Sequence, residues 1–285
     1  IEVDLEALHK LSDEIPVLVD LKPSGQHYME DLHNAGGAAP ILREIKDMLA
    51  LDCMTVSGRT LGQEIDAAPP DWGQQVVRPR SNPIYPKGGI AVLKGTLAPN
   101  GAIIKQSAAA PHLMKHEGRA VVFESLEDMA ARLDDPNLDV TANDILVLKN
   151  AGPKGAPGMP ESGYIPIPRK LAQAGVKDML RMSDARMSGT AFGAIVLHIS
   201  PEAADGGPLG LVQNGDRIRL DVDARSLDLL VDATELERRR AAWRPPIHPG
   251  QERGYLKLYM DEVTQAEDGT DFRFLMPIRT GQKTP

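Results

Sequence analysis

Short apolar runs separated by turn residues fill the segment from residue 90 to residue 231, and this pattern constrains the fold more than any other feature of the chain. Turn signals recur about every 8 to 12 residues, a spacing typical of all-β architectures. Pro99-Asn100-Gly101 and Asn214-Gly215 are strong signals for tight turns of the hairpin type. Many closely spaced short strands favour a barrel or a sandwich over a doubly wound sheet.

The first part of the chain has a different hydrophobic pattern. Residues 1 to about 65 carry apolar residues at helical spacing, and Gly36-Gly37 provides a stop for one of these helices. An apolar run at residues 16–21, closed by Pro23 and Gly25, predicts a short buried strand. Residues 66–89 contain five prolines and three glycines with little periodicity. We interpret that segment as a boundary or crossover.

Composition excludes several classes of protein. The formal charge of -8 argues against a broad surface for nucleic acid, and the basic cluster at residues 237–246 is expected to be a solvated helix end. No apolar run of about 18 residues is present, so we expect no membrane span. Cys53 is the single cysteine. It excludes an internal disulfide framework and a self-contained iron–sulfur or cysteine-rich zinc site, and it fits a reducing cytoplasm.

A loop rich in glycine and proline, GPKGAPGMPESGYIPIP at residues 152–168, holds one acid, Glu161. The loop is not a phosphate-binding P-loop, because Lys154 is followed by Gly155 rather than by serine or threonine. Glycines permit unusual backbone dihedrals and prolines fix φ, so we expect a rigid loop that leaves Glu161 little freedom. A carboxylate fixed in this way suits Mg²⁺. The alternative is that Glu161 caps the following helix or lies in solvent.

A second loop of small residues, DARMSGT at residues 184–190, holds Ser188. Its flanks do not form the G-x-S-x-G elbow of an α/β-hydrolase. Ser188 can serve as an acid–base group near a metal ion, with backbone N–H groups available for a carboxylate. The alternative is a turn capped by hydroxyl groups. The only histidines four residues apart, His112 and His116, do not match the H-E-x-x-H zinc motif and lack a clear third ligand.

Taken together, these two loops and several other blocks resemble the C-terminal half of the IlvD/Edd dehydratase family, which comprises dihydroxy-acid, phosphogluconate and sugar-acid dehydratases. The resemblance runs over almost the whole chain. The blocks are LVDLKPSGQHYMEDLHNAGG, NPIYPKGGIAVLKGTLAPNGAIIK, HEGRAVVFESLEDM, GPKGAPGMPE, SDARMSGTAFG, HISPEAADGGPLGLVQNGDRIRLDV and RRAAWRPP.

The resemblance implies an α+β fold, in which the end of an N-terminal α/β domain precedes a β-barrel-like C-terminal domain with flanking helices. On this basis residues 1–78 are the C-terminal part of the first domain plus the crossover, and residues 79–285 are the barrel-like domain with a helical tail. It also implies an active site between the two domains and assembly as a homodimer or homotetramer.

The resemblance further implies a mechanism and roles for particular residues. A [2Fe-2S] cluster on three cysteines acts as Lewis acid toward the leaving C3 hydroxyl, Mg²⁺ holds the substrate, and a serine alkoxide removes the C2 proton. By motif, Glu161 corresponds to a Mg²⁺ ligand and Ser188 to the base, while Gly189 and Thr190 correspond to substrate-binding residues. The product is a 2-keto-3-deoxy acid.

The chain departs from the family pattern because Cys53 matches no cluster cysteine, so the chain holds no cluster ligand. We therefore expect it to be the second half of a dehydratase that is inactive without the rest. The form RMSGTAFG and the tail around residues 254–275 favour a sugar acid such as L-arabinonate or D-xylonate as substrate. Dihydroxy-acid dehydratase is the alternative enzyme, and a non-catalytic assembly module is the alternative outside enzymes.

Overall fold

The structure is a computed structural model that describes residues 4–69, 73–189 and 192–276. Two compact units are present: Glu6–Ile90, and a larger unit that combines the chain from Ala91 onward with the residues before Glu6. The described α-helices are α1 Leu5–Glu14, α2 Met29–Asn34, α3 Ala38–Glu44, α4 Leu61–Ala67, α5 Leu126–Arg132, α6 Arg169–Gln173, α7 Ala233–Ala242 and α8 Gly254–Glu262. The strands are β1 Ala91–Leu93, β2 Gly101–Ile104, β3 Lys115–Phe123, β4 Ile145–Leu148, β5 Arg181–Ser183, β6 Ile195–Ser200, β7 Arg217–Asp221 and β8 Ser226–Leu229.

The smaller unit contains the helices predicted for this part of the chain, and its described residues pack around an apolar cluster that includes Leu18, Ile45 and Val77. The buried strand predicted at residues 16–21 is not formed as a regular strand. That segment makes single β-bridges instead, from Val17 to Tyr85 and onward along the run. The prediction failed because an apolar run fixes burial but not continuous pairing. The predicted domain boundary between residues 78 and 79 stays a prediction.

The larger unit is built on one eight-stranded sheet that is nearly closed into a barrel, which confirms the predicted fold class. The strand order is β1-β2-β6-β5-β4-β3-β7-β8. The two outer strands meet at a single bridge between Lys94 and Ser226, and the Leu227 amide donates to the Lys94 carbonyl over 3.0 Å. The Pro99-Asn100-Gly101 turn joins β1 to its antiparallel neighbour β2, as predicted.

Four adjacent strands in the middle of this sheet, β3, β4, β5 and β6, run parallel. Alternate residues of β4 face two different apolar clusters, with Ile145 and Val147 in the first and Leu146 and Leu148 in the second. Both faces of β4 are therefore buried, which explains why the strand is apolar throughout. A parallel arrangement also places the carboxyl ends of all four strands at one edge.

The Asn214-Gly215 signal does not join two paired strands as predicted. It lies between a 3₁₀ turn at Pro208–Leu211 and β7. The Asn214 Oδ1 accepts a hydrogen bond from the Val122 amide over 2.7 Å, and the Gly215 amide donates to the Ala120 carbonyl over 2.9 Å. The turn residues therefore form hydrogen bonds with backbone groups of β3. Local sequence does not reveal this long-range role.

The basic cluster at residues 237–246 forms the end of α7 and the segment after it. Its arginines pair with carboxylates: Arg239 lies 2.5 Å from Asp216 and 2.7 Å from Glu235, and Arg238 lies 2.7 Å from Glu235. These guanidinium groups lower the pKa of Glu235 to about 2. The helix is the one predicted, although Arg239 is largely buried rather than solvated. Among the described helices, none has the length and apolar character needed to cross a membrane.

Candidate active site

The segments that follow three neighbouring parallel strands, β4, β5 and β6, are joined by hydrogen bonds at one edge of the sheet. Asp184 comes after β5, and its carboxylate accepts hydrogen bonds from the amides of Ala151, after β4, and Ala203, after β6, each over 2.9 Å. Asp184 is buried, and burial raises the pKa of this carboxyl. Because ligands of parallel sheets bind outside the carboxyl ends of the strands, this edge is the first place to look for an active site.

Glu202 holds the start of the loop of residues 152–168 in place. Its side chain, in a residue only 1% exposed, accepts hydrogen bonds from the amides of Lys154 and Gly155 over 2.9 Å and from Gln265 over 2.8 Å. Burial raises the pKa of Glu202 to about 7, and nearby Asp184 adds to this effect, while the amide donors oppose it. The Lys154 and Gly155 amides therefore bond to a buried side chain, where amides in regular structure would bond to backbone carbonyls.

Two more side chains fasten the same loop from residues far along the chain. The Tyr259 hydroxyl donates to the Pro153 carbonyl over 2.9 Å, and the ring of His248 lies 2.8 Å from the Lys154 carbonyl. A Cβ at Gly155 would lie 2.5 Å from the Asn150 backbone, so only glycine fits there. The stiffness predicted from composition is thus produced mainly by long-range hydrogen bonds.

Glu161 lies farther along this loop and is half exposed. Its Oε1 is 3.1 Å from an Nη atom of Arg186, which belongs to the second loop. The Arg186 Nε also donates to the Met159 carbonyl over 2.5 Å, and the Gly163 amide donates to the Arg186 carbonyl over 2.7 Å. The capping alternative is wrong, because α6 begins at Arg169 behind a proline cap without a side-chain bond. The two predicted loops therefore meet at Arg186.

Ser188 lies two residues after Arg186 on the segment that crosses from the end of β5 to the start of β6, and it is half buried. Gly189 is exposed, and a Cβ built on it would contact nothing within 4 Å. The Gly189 carbonyl accepts a hydrogen bond from Lys105 Nζ over 2.7 Å. Thr190 lies outside the described residues, so its predicted contact with substrate stays a prediction.

A buried ion pair supports the segments that flank both loops. Arg181 and Asp178 lie 3.0 Å apart, with side chains 2% and 5% exposed. The Arg181 guanidinium donates to the carbonyl of Ile165, after Glu161, over 2.9 Å. Asp178 accepts from the amide of Ala194, after Ser188, over 3.0 Å. Burial lowers the pKa of Arg181, although the carboxylate opposes this effect. The Arg181–Asp178 pair thus holds the backbone that follows Glu161 in one loop and Ser188 in the other.

Metal ligation by the described residues is limited. No group of three or more histidine, cysteine, aspartate or glutamate side chains in this part of the chain is arranged to hold a metal ion. His116 lies on β3, where its ring is 3.0 Å from the Asn143 carbonyl, so it is not part of a zinc-binding helix. Cys53 is exposed. The role of Glu161 as a Mg²⁺ ligand stays a prediction, and the described residues include one cysteine, too few thiolates for a cluster.

Sequence reasoning missed four polar residues that shape this site: Lys105, Arg186, His198 and Glu202. His198 lies on β6, its backbone amide donates to the Ala185 carbonyl over 3.1 Å, and burial with the nearby Arg186 charge lowers the pKa of its ring. Each of the four is an ordinary charged or polar residue in the sequence. Strand pairing brings them to the site from distant parts of the chain, so the sequence near each residue does not mark it. Arg186 is the exception, because it stands within the serine loop.

The geometry defines a class of site. An exposed carboxylate and a half-buried serine lie on two loops that meet at the edge of a parallel sheet, and cationic side chains stand beside both loops. Such a site can bind an anionic substrate and move a proton. The architecture of the larger unit agrees with an enzyme whose catalytic groups are carried on loops held by a rigid scaffold.

Comparison with known families identifies the chain. The model of the dihydroxy-acid/6-phosphogluconate dehydratase C-terminal domain matches residues 75–270, and the model of the N-terminal domain of the same family matches residues 1–64. The chain therefore belongs to the dihydroxy-acid/6-phosphogluconate dehydratase family, as the sequence motifs indicated.

Individual relatives carry several substrate names. The chain is 45% identical to an L-arabonate dehydratase of Azospirillum brasilense, over 100% of this chain and 50% of the relative. It is 46% identical to a 6-deoxy-6-sulfo-D-gluconate dehydratase of Pseudomonas putida, over 100% of this chain and 49% of the relative. It is 41% identical to a dihydroxy-acid dehydratase of Methanothrix thermoacetophila, over 94% and 49%. The chain spans about half the length of these relatives.

Proposed function

We propose that the protein that contains this chain is a hydro-lyase that converts a sugar acid, such as L-arabinonate or D-xylonate, to the 2-keto-3-deoxy acid. One observation carries the proposal: the loop with Glu161 and the loop with Ser188 meet through the 3.1 Å contact between Glu161 and Arg186. The family membership and the sugar-acid names of relatives at 45% and 46% identity support the same reaction.

The role of this chain in the reaction follows from its two loops. Ser188, as alkoxide, takes the proton from C2 of the substrate, and the C2–H electron pair forms the C2–C3 double bond as the C3–O bond breaks. The departing hydroxide takes this proton from the Ser188 hydroxyl and leaves as water, which restores the alkoxide. The enol then tautomerises to the 2-keto acid, so that atoms and charge balance. The Lys105 ammonium donates to the Gly189 carbonyl over 2.7 Å, so a positive charge lies next to the loop that carries the serine.

The residues present fit one ligand of a Mg²⁺ ion. One oxygen of Glu161 is paired with Arg186, and the half-exposed carboxylate can share its charge with a hard cation. Bound there, Mg²⁺ would neutralise the substrate carboxylate and fix its oxygen atoms. This chain would contribute Glu161 alone among its described residues, so further ligands would come from elsewhere in the protein.

The residues present do not fit a [2Fe-2S] cluster. The sequence has one cysteine, and Cys53 is exposed in the smaller unit. Cluster ligands would therefore lie outside these residues, and we derive no step through the cluster. We propose that the 285 residues alone are inactive, and that the complete protein works in the cytoplasm as a homodimer or homotetramer, as the family resemblance implies.

A substrate panel tests the proposed reaction. The complete protein is assayed against L-arabinonate, D-xylonate, gluconate and 2,3-dihydroxyisovalerate, and formation of the 2-keto acid is measured. We expect turnover of a sugar acid to exceed that of the branched dihydroxy acid, because a polyol needs polar partners that a purely apolar pocket lacks. A preference for 2,3-dihydroxyisovalerate would instead support a dihydroxy-acid dehydratase, the name of the relative at 41% identity.

A serine variant tests the assigned base. Ser188→Ala should lower kcat by at least about 100-fold, since it removes the group that accepts the C2 proton. Ser226→Ala is the matched control, because Ser226 is also half buried but lies on β8. If Ser188→Ala kept turnover near that of the unchanged protein with its iron and magnesium content intact, the serine would not be the base. Absence of turnover on every substrate would favour the assembly module.

A further inference from the structure

Lys105 directly follows β2, and the topology brings it to the serine loop. β2 is antiparallel to β6, with Ile104 paired to Val196, so the end of β2 lies beside the start of β6. The segment that carries Ser188 runs from the end of β5 to that same start of β6. Lys105 therefore reaches the crossing segment from the side, and its Nζ lies 2.7 Å from the Gly189 carbonyl.

The electrostatic setting of Lys105 differs from that of the other cations near the site. Arg186 is paired with Glu161, and Arg181 is paired with Asp178. For Lys105, the pKa of the ammonium is lowered by burial alone, with no carboxylate to oppose it. Among the described residues, the partner of this partly buried ammonium is a backbone carbonyl rather than a carboxylate, so its charge is not neutralised by an ion pair there. Gly189 directly follows Ser188 in the chain, so a bond that holds the Gly189 carbonyl fixes the backbone next to the serine.

We propose that Lys105 is a positioning residue for Ser188: its ammonium holds the Gly189 carbonyl, fixes the loop at the residue next to the serine, and places a positive charge beside the serine alkoxide. This inference rests on the proposed function, since it assumes that Ser188 is the base. An alkoxide on a loop that moves freely would lose its alignment with the C2–H bond, and small misplacements at a reacting centre are costly in rate.

The experiment uses the complete protein with three substitutions. Lys105→Met removes the charge and the donor, Lys105→Arg keeps both, and Lys94→Met is the control at an exposed lysine that follows β1. We expect Lys105→Met to lower kcat by about 10- to 100-fold with KM changed by less than about threefold, because the loss falls on the proton transfer step. Lys105→Arg should recover most of the rate, and Lys94→Met should match the unchanged protein.

Three results would overturn the inference. The first is a kcat for Lys105→Met within about twofold of the unchanged protein. The second is a rise in KM with unchanged kcat, which would make Lys105 a substrate ligand instead. The third is an arginine variant as slow as the methionine variant. If Lys105→Met fails to fold, Lys105→Gln serves as the neutral variant with the same expected loss.

Ser188→Ala in the same assay separates this inference from the proposed function. If Ser188→Ala keeps its turnover, the assignment of the base is wrong and the role of Lys105 falls with it. If Ser188→Ala loses turnover while Lys105→Met keeps it, the serine base stands and only the role of Lys105 is wrong. Iron and magnesium contents are measured for every variant, so that loss of a cofactor is not read as loss of positioning.

Discussion

Glu202 is a buried acid whose protonation is coupled to the loop it holds. Its pKa is raised to about 7 from an ordinary value of 4.5, chiefly by burial. Between these two pH values the folded chain keeps a proton that the unfolded chain releases. The contribution to stability is therefore present in full below pH 4.5 and is lost as pH rises through 7. The total is about 3 kcal/mol, because each pKa unit corresponds to about 1.4 kcal/mol.

Glu202→Gln tests this coupling at the residue scale. Glutamine has the shape of the protonated acid and does not titrate, so the variant should lose most of the fall in unfolding free energy between about pH 4.5 and 7. Urea denaturation at several pH values in this window measures the effect. Glu237→Gln is the control, since that carboxylate on α7 is 75% exposed and should leave the slope unchanged. Equal slopes for Glu202→Gln and the unchanged protein would contradict the assignment.

Much of this site was beyond prediction from local sequence. Glu161 and Ser188 stand in loops whose composition marked them as candidates, and family motifs gave them roles. Glu202 and Lys105 carried no such signal, because their partners lie far along the chain: Glu202 binds Lys154, and Lys105 binds Gly189. The pairing of β2 with β6 brings Lys105 to Gly189, and the pairing of β4, β5 and β6 brings Glu202 to Lys154.

At the scale of elements, the parallel strands β3 to β6 bring the two loops together. Short strands with turns about every 8 to 12 residues predicted a barrel or a sandwich. The family resemblance implied the barrel-like form, which the structure confirms. The pattern did not reveal the parallel run, because β4 is apolar on both faces and β5 covers only Arg181–Ser183. Neither strand shows the alternation that marks a half-buried strand.

The ion pair of Asp178 and Arg181 links these elements. Asp178, just before β5, also accepts amide hydrogen bonds from Ala110, over 2.9 Å, and from Ala194, over 3.0 Å. It therefore joins the segments that precede β3, β5 and β6. Asp178→Asn should lower the unfolding free energy by about 3 kcal/mol, because it leaves the buried guanidinium without its counter-charge. Urea denaturation at pH 7 measures the loss.

Asp261→Asn is the matched control for that element-scale prediction. Asp261 pairs with Lys257 on α8 over 2.5 Å, and both side chains are about half exposed, at 52% and 53%. Exposed pairs of this kind contribute about 0.5 kcal/mol or less. If Asp178→Asn were no more destabilising than Asp261→Asn, the buried pair would not be the link between these elements.

At the scale of the whole larger unit, the barrel depends on one seam between β1 and β8. The seam has few backbone contacts: the Lys94 amide donates to the Arg225 carbonyl over 2.9 Å, and the Leu227 amide donates to Lys94 over 3.0 Å. Thr96 adds a bond from its amide to Asp228 over 3.0 Å. Gly95 lies in the middle of these contacts, and a Cβ there would be 2.2 Å from the Leu227 carbonyl oxygen.

Gly95→Ala should therefore open the seam without unfolding the sheet. The added methyl group meets backbone rather than a flexible side chain, so the two strands must separate. Hydrogen exchange of the Lys94 and Leu227 amides should accelerate by at least about tenfold, which corresponds to a local opening easier by about 1.4 kcal/mol. Exchange of the Lys149 amide, bonded to Phe123 across the middle of the sheet, should stay unchanged.

Gly189→Ala is the control for this prediction, because a Cβ at Gly189 meets nothing within 4 Å and should leave both groups of amides as they were. If Gly95→Ala accelerated Lys149 as much as Leu227, the seam would not open independently and the unit would unfold as one body. If neither group accelerated, the strand ends would have enough freedom to accept the methyl group. Acceleration confined to the Lys94 and Leu227 amides would identify the β1–β8 seam as the weakest closure of the barrel that carries the Glu161 and Ser188 loops.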